Sequence, residues 1–290
     1  FHMLNAMHDL SQSLIFAAVF ALLCWWLGTG VILWLVRRPT QTFGASLGFL
    51  GMLLILGLWG SWVSMQSQSV ANAYLGFGSV ILMWAWHEMA FLSGRVTGPR
   101  RVPLATGAVG WQRLQQSVQV VLHHELALLL NFGVLWWLQM DQPNHVALCT
   151  FALLWCMRVS AKFNLFFGVP EVGLQYLPSH LTYLGSYFKQ GRVSLFFYTT
   201  VAVSGGTWLW LVWQAQQGVV ALTAGWVLLA SLLGLAILEH VLMMFPVPLQ
   251  KLWGWAMSHR HERGLTPPLH TMAPSPSLNA ANLVAQGDKP

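Results

Sequence analysis

Three histidine–glutamate pairs lie inside stretches of sequence that are otherwise almost wholly apolar: His87-Glu88, His124-Glu125 (with His123 ahead of it) and Glu239-His240. Two cations, Arg158 and Lys162, lie in a fourth such stretch. They are four residues apart and so share one face of a helix. Charges inside a hydrocarbon-spanning segment are expensive and face the bundle interior, where they find partners. Two chemistries fit this set. In the first, Glu88, Glu125 and Glu239 neutralise Arg158 and Lys162, and the imidazoles hydrogen-bond the remaining carboxylate oxygens. In the second, His87, Glu88, His124, Glu125, Glu239 and His240 are metal ligands, for a bare ion or for the magnesium of a chlorophyll-type ring. A zinc-protease helix is excluded, because Phe91 and Leu128 stand where a second His would follow four residues on. The sequence also lacks a Gly-rich phosphate loop, a nucleophile elbow and a Cys-x-x-Cys pair.

At about 1.5 Å per residue, His87 lies about 12 Å in from Arg95, and His124 about 16 Å in from Arg113. His123 and His124 are about 100° apart around a helix, so both cannot address one ligand squarely. Glu125 extends the polar arc away from His123, which makes His124 the stronger ligand candidate. His-Glu-x-Ala-x-Leu occurs at 87–92 and again at 124–129, the pattern of two antiparallel helices in a two-fold arrangement.

The elements that must position these groups are membrane spans. The composition is 56% hydrophobic and only 8% charged, against roughly 25% charged in soluble domains. Apolar runs of about 20 residues exclude a soluble fold. The expected architecture is an all-α bundle of seven transmembrane helices over residues 10–245: 10–36, 43–65, 70–91, 114–138, 146–167, 193–213 and 219–245. A basic, then Pro/Ser-rich tail at 246–290 has the composition of a partly disordered segment. Phe1-His2-Met3 reads as a remnant ahead of the natural start, and the first apolar run is too long for a signal peptide. Cys24, Cys149 and Cys156 all fall within spans and indicate no disulfide framework.

Lys and Arg collect in alternate connections: Arg37-Arg38, Arg95 to Arg113, Lys189 with Arg192, and the tail from Lys251. The turns at 66–69, 139–145 and 214–218 contain none. The positive-inside rule then predicts a periplasmic N-terminus and a cytoplasmic C-terminus. Topology accounts for the net charge of +6, so nucleic acid is not expected as a partner. Paired tryptophans such as Trp25-Trp26 and Trp136-Trp137 fit interfacial belts.

The stretch 157–191 concentrates these features. Its helix carries Arg158, Lys162 and Asn164, and ends at Gly168-Val169-Pro170. Beyond it, Leu181, Tyr183, Leu184 and Tyr187 alternate with Ser, His and Gly, as in a segment lying in the membrane interface.

The phrases WHEMAFLSG at 86–94, GPRR at 98–101, HHELALL at 123–129, MRVSAKFNLFFGVP at 157–170 and LPSHLTYLGSYF at 177–188 together resemble the PuhE-type photosynthetic complex assembly proteins of anoxygenic phototrophic bacteria. The resemblance covers about 10–245 and leaves the tail uncovered. It implies a multi-pass protein of the inner, intracytoplasmic photosynthetic membrane that helps assemble the reaction centre and core light-harvesting complex and modulates bacteriochlorophyll supply. The partners implied are membrane lipid and either photosynthetic complex subunits or bacteriochlorophyll-synthesis enzymes. The implied cofactor is bacteriochlorophyll or a related tetrapyrrole. No catalytic residue carries over from the family. Glu88, His124, Glu125, Arg158 and Lys162 match its motifs, as do the interfacial binding candidates Arg100, Arg101, Asn164, His180 and Tyr183. Tyr187 falls in the last of the quoted phrases. Two other readings stay open: a membrane metalloenzyme using a His/Glu site on a tetrapyrrole or lipid-soluble substrate, and a structural subunit of the pigment complex.

Overall fold

Hydrocarbon offers no water to backbone amides and carbonyls, so apolar runs of this length are forced into helices that satisfy their own hydrogen bonds. A computed structural model describes residues 2–174, 177–217, 220–245 and 252–257. Its helices are α1 (His2–Val36), α2 (Phe43–Met65), α3 (Val70–Leu92), α4 (Gly110–Gln139), α5 (Val146–Phe167), α6 (Leu195–Gln217), α7 (Val220–Leu242) and the short α8 (Gly254–Met257). The first seven are long and apolar enough to cross a membrane, and the protein is a multi-pass membrane protein. No strand occurs among the described residues; Val169 and Gln190 form one isolated bridge. The tail expected from residue 246 lies outside the described residues, except for 252–257.

The α3 helix is the hub, packed on α1, α2, α4, α5 and α7. Its tightest neighbour is α2, and small residues make that approach. A Cβ placed at Gly57 would lie 2.5 Å from the Ser79 carbonyl oxygen, and one at Gly60 would lie 2.3 Å from the Ser79 hydroxyl. Farther along, Phe77 on α3 joins Ala17, Ala21, Ala224 and Leu228 in a core shared by α1, α3 and α7. Met83, Trp84, Leu128 and Phe151 fill the volume between α3, α4 and α5.

The connections at the cation-rich end are structured. Gly168, at φ +130°, stops α5 just before Pro170. A 3-10 helix, Ser179–Tyr187, follows. Leu181, Leu184 and Tyr187 recur every three residues, which is the period that aligns one face of a 3-10 helix. That face is buried against Val120, Phe91 and Leu104. The segment therefore turns its apolar side onto the bundle. At the other end, Gln68 donates to the Pro143 carbonyl (2.8 Å) and Asn144 to the Ser64 carbonyl (2.9 Å), tying the two turns together.

α8 docks on α1. Trp253 donates to the Trp26 carbonyl (3.0 Å), Trp26 donates back to Leu252 (3.1 Å), and Gly30 leaves room for the Trp255 ring. Trp25 and Trp26 thus make contacts within the chain, whereas Trp136 and Trp137 are exposed on α4, as a belt requires.

Candidate functional site

α5 organises the polar centre. Trp155, Arg158 and Lys162 follow one another at i, i+3 and i+7, so one stripe of α5 carries all three. Arg158 engages Glu88 on α3 with both arms of its guanidinium: Nε donates to Oε1 at 3.0 Å, and Nη2 donates to Oε2. Such a fork is the geometry in which Arg binds a carboxylate best. Lys162 pairs with Glu125 Oε1 on α4, and the indole of Trp155 donates to the other oxygen at 3.0 Å. The two His-Glu repeats thus deliver their carboxylates, from different helices, to two cations on α5.

Glu239, on α7, takes a different partner. Trp25 Nε1 on α1 donates to it at 2.6 Å. Arg158 and Lys162 make their ion pairs with the other two carboxylates, although Glu239 lies within electrostatic reach of Arg158. Its neighbour His240 is buried, with Nδ1 2.8 Å from the Ala236 carbonyl and Nε2 2.8 Å from the Ser160 hydroxyl. A carbonyl only accepts, so Nδ1 carries the proton and Nε2 accepts from Ser160. Both ring nitrogens are therefore occupied.

His87 and His124 differ from His240. Both rings are buried, with centroids 6.5 Å apart. His87 Nε2 meets the Asn131 amide at 2.8 Å, while His87 Nδ1 and Asn131 Oδ1 have no partner. His124 Nδ1 is also without a partner, and Phe91 lies 4.7 Å from the imidazole centroid. The backbone holds His124 in place: its amide donates to the Thr97 carbonyl at 2.9 Å. This contact depends on Gly98, where a Cβ would lie 2.0 Å from the Gln119 carbonyl oxygen. His123, by contrast, is exposed.

The six residues read as metal candidates are divided among these separate partners. Among the described residues, no three His, Cys, Asp or Glu side chains converge as a metal-ion site. A single buried imidazole with an unpartnered nitrogen is a smaller requirement; His87 and His124 both meet it, and His87 is already held by Asn131 at its other nitrogen.

A second polar layer covers the cation-rich end. Arg100 donates to the Tyr187 hydroxyl (2.7 Å), which donates onward to the Val102 carbonyl (2.9 Å). Arg113 reaches the carbonyls of Phe166 (2.8 Å) and Tyr187 (3.0 Å) and stacks on the Phe166 ring. His180 Nε2 donates to the Leu92 carbonyl at 2.8 Å. Arg101 and His180 are exposed and Tyr183 is half-buried. Asn164, read as an interfacial candidate, is instead wholly buried, and both of its amide atoms lack a partner. Among the described residues, cavities lie at both ends. One, of about 160 Å³, is lined by Asn144, Cys149 and Trp226. The other, of about 420 Å³, is lined by Arg95, Arg101 and His180. Neither is lined by His87 or His124.

Sequence reasoning missed Trp25, Trp155, Asn131 and Ser160. The signal for Trp155 was its place on the Arg158–Lys162 stripe. For Asn131 it was a lone amide seven residues beyond His124, on the same face.

Residues 11–264 match a family described as a protein of unknown function, DUF3623. The chain belongs to the DUF3623 family. The DUF3623 chain is also 37% identical, over 253 residues, to an uncharacterized 30.4 kDa protein in the puhA 5' region of Rhodobacter capsulatus. That alignment covers 83% of this chain and 89% of the relative. No solved structure matches the DUF3623 chain.

Proposed function

We propose that this DUF3623 protein is an integral membrane assembly factor for the bacterial photosynthetic apparatus, serving the reaction centre and core light-harvesting complex and the handling of bacteriochlorophyll. The observation that carries the reading is the Rhodobacter capsulatus relative, which is described by its place in the puhA 5' region. A second observation supports it. The stretches that resemble PuhE-type proteins, distant in sequence, are bonded together at one end of the bundle through Arg158–Glu88, Lys162–Glu125, His180–Leu92 and Arg100–Tyr187. In this reading the protein works in the inner, intracytoplasmic membrane, and its partners are photosynthetic complex subunits or bacteriochlorophyll-synthesis enzymes.

Bacteriochlorophyll is cargo in this reading, and its magnesium would take a nitrogen donor from the chain. His124 supplies the donor: an imidazole nitrogen that is buried without a hydrogen bond and fixed by the Thr97 contact. The surrounding ion pairs neutralise Glu88 and Glu125, so they leave the imidazole as the available ligand. Phe91 packs against that imidazole and must give way before a macrocycle reaches it.

The test is complementation of a deletion strain with the wild-type chain and with His124→Leu. Leu has a comparable apolar volume, so a packing role tolerates it at a cost of about 1.5 kcal/mol or less. The deletion is expected to lower reaction-centre and core-antenna absorption in membranes. His124→Leu should insert at normal levels without restoring that absorption. A deletion strain with unchanged complexes sinks the assembly role, and full rescue by His124→Leu removes His124 from it.

A further inference from the structure

We infer that the open cleft at the cation-rich end, between the start of α2, the end of α3 and the 3-10 helix, binds the phosphate headgroup of an anionic membrane lipid. This inference does not rest on the photosynthetic reading. The cleft has a volume of about 420 Å³, and its lining includes Phe43, Arg95, Arg101, His180, Leu181 and Tyr183.

Charge supplies the first argument. Arg95 and Arg101 line one cleft, and their segments touch where Arg101 Nη2 approaches the Arg95 carbonyl at 3.4 Å. The ion pairs among the described residues are those of Arg158 and Lys162, so neither cleft guanidinium has a carboxylate. No Asp or Glu lines the cleft. Two guanidiniums that line one cleft without a counter-charge form a fork-rich surface that suits phosphate oxygens. His180 uses Nε2 on the Leu92 carbonyl, which orients its ring at the cleft wall, and the Tyr183 phenol lines the same cleft.

Placement supplies the second argument and selects a lipid over a free anion. Phe43 is the first residue of α2 and Leu92 the last of α3, so the cleft opens at headgroup level, where two spans end. Its floor is apolar: Phe43 and Leu181 are buried, and the His180 ring lies 5.9 Å from that of Phe43. Farther along α2, Phe49, Met52, Ile55 and Trp59 form an exposed stripe at helical spacing. A soluble phosphate could use the guanidiniums but not that stripe. A phospholipid uses both, with acyl chains along α2 and its phosphate in the cleft.

Native mass spectrometry of the full chain from an equimolar mixture of phosphatidylglycerol and phosphatidylcholine tests the inference. The wild type is expected to retain phosphatidylglycerol preferentially, and Arg95→Gln/Arg101→Gln should lower that retention about tenfold while leaving phosphatidylcholine unchanged. Arg101→Gln alone, at an exposed side chain, should show part of the loss and guards against a double variant that misfolds. Arg37→Gln/Arg38→Gln removes the same charge outside the cleft and should leave the preference intact. A wild type without preference, or a folded cleft variant that keeps it, overturns the site. So does an equal loss in the Arg37/Arg38 control, which means surface charge alone. Displacement by excess inorganic phosphate assigns the cleft to a soluble anion and overturns the lipid assignment.

Discussion

Glu88 and Glu125 look alike in sequence but are held differently. Glu88 is the more deeply buried and relies on both arms of Arg158, whereas Glu125 divides its oxygens between Lys162 and Trp155. Removing one partner of a buried pair costs roughly 3–5 kcal/mol, because the other charge is left without compensation. The Arg158 side chain is 47% exposed, against 12% for Glu88, so the burden of Arg158→Leu falls on the stranded carboxylate. Arg158→Leu should therefore lower the melting temperature in detergent sharply. Arg158→Leu/Glu88→Gln should recover part of that loss, while Arg158→Leu/Glu239→Gln should be close to additive. Rescue by Glu239→Gln in place of Glu88→Gln would refute the assignment of partners. Trp155→Phe keeps the ring and removes one donor; the expected loss is about 1–2 kcal/mol, seen as a smaller shift in the same melt. The charged residues were legible because each is an anomaly in apolar sequence. Their partner choice was not: the reading set three carboxylates against two cations, and a tryptophan among 17 carries no mark of being the donor to Glu239.

Helix ends other than the start of α1 were legible to within four residues, because hydrophobic length is a strong constraint in a membrane. The largest shift is at that start, where α1 begins at His2 rather than residue 10, and the next largest fall where the edge residues are amphipathic. The α4 helix starts at Gly110 rather than Leu114, and α6 runs to Gln217 rather than Trp213, since polar side chains can extend a helix beyond the apolar run. The 3-10 helix was harder to read. Its apolar residues suggested an interfacial segment, and only their three-residue period pointed to a face, which the bundle buries. Packing between α2 and α3 depends on residues that a hydrophobicity reading passes over. At Gly57 an added Cβ meets the Ser79 backbone carbonyl, so a larger side chain there must push the helices apart, whereas at Gly60 it first displaces the Ser79 hydroxyl. Gly60→Leu should cost at least about 1–3 kcal/mol as overpacking. Gly48→Leu on the same helix, where nothing lies within 4 Å of an added Cβ, should be nearly neutral. Equal melting of the two variants would mean that the α2–α3 contact is not built on that glycine.

At the scale of the whole molecule, the two ends of the bundle differ in kind. One end ties its loops together with Arg100, Arg113 and His180, and presents Arg95 and Arg101 without carboxylates. The other closes through the neutral side chains of Gln68 and Asn144. The cost of moving Lys and Arg across the bilayer makes this asymmetry directional, so the arginine-rich end is predicted to face the cytoplasm. The prediction can be checked on a variant whose Cys24, Cys149 and Cys156 are replaced by alanine, carrying one new cysteine at a time. Ser67→Cys and Gln142→Cys should react with a membrane-impermeant maleimide added to intact cells. Pro99→Cys and Lys189→Cys should react only after the membrane is opened. The structure sharpens this test, since residues 67 and 142 lie in turns joined to each other while 99 and 189 flank the layer built around Tyr187. The four positions must therefore sort two against two. Labelling of 67 together with 99 from outside would contradict the span count, whereas a clean reversal would keep the fold and invert its orientation. Either result also bears on the lipid cleft, because the leaflet that Arg95 and Arg101 meet is fixed by the same measurement.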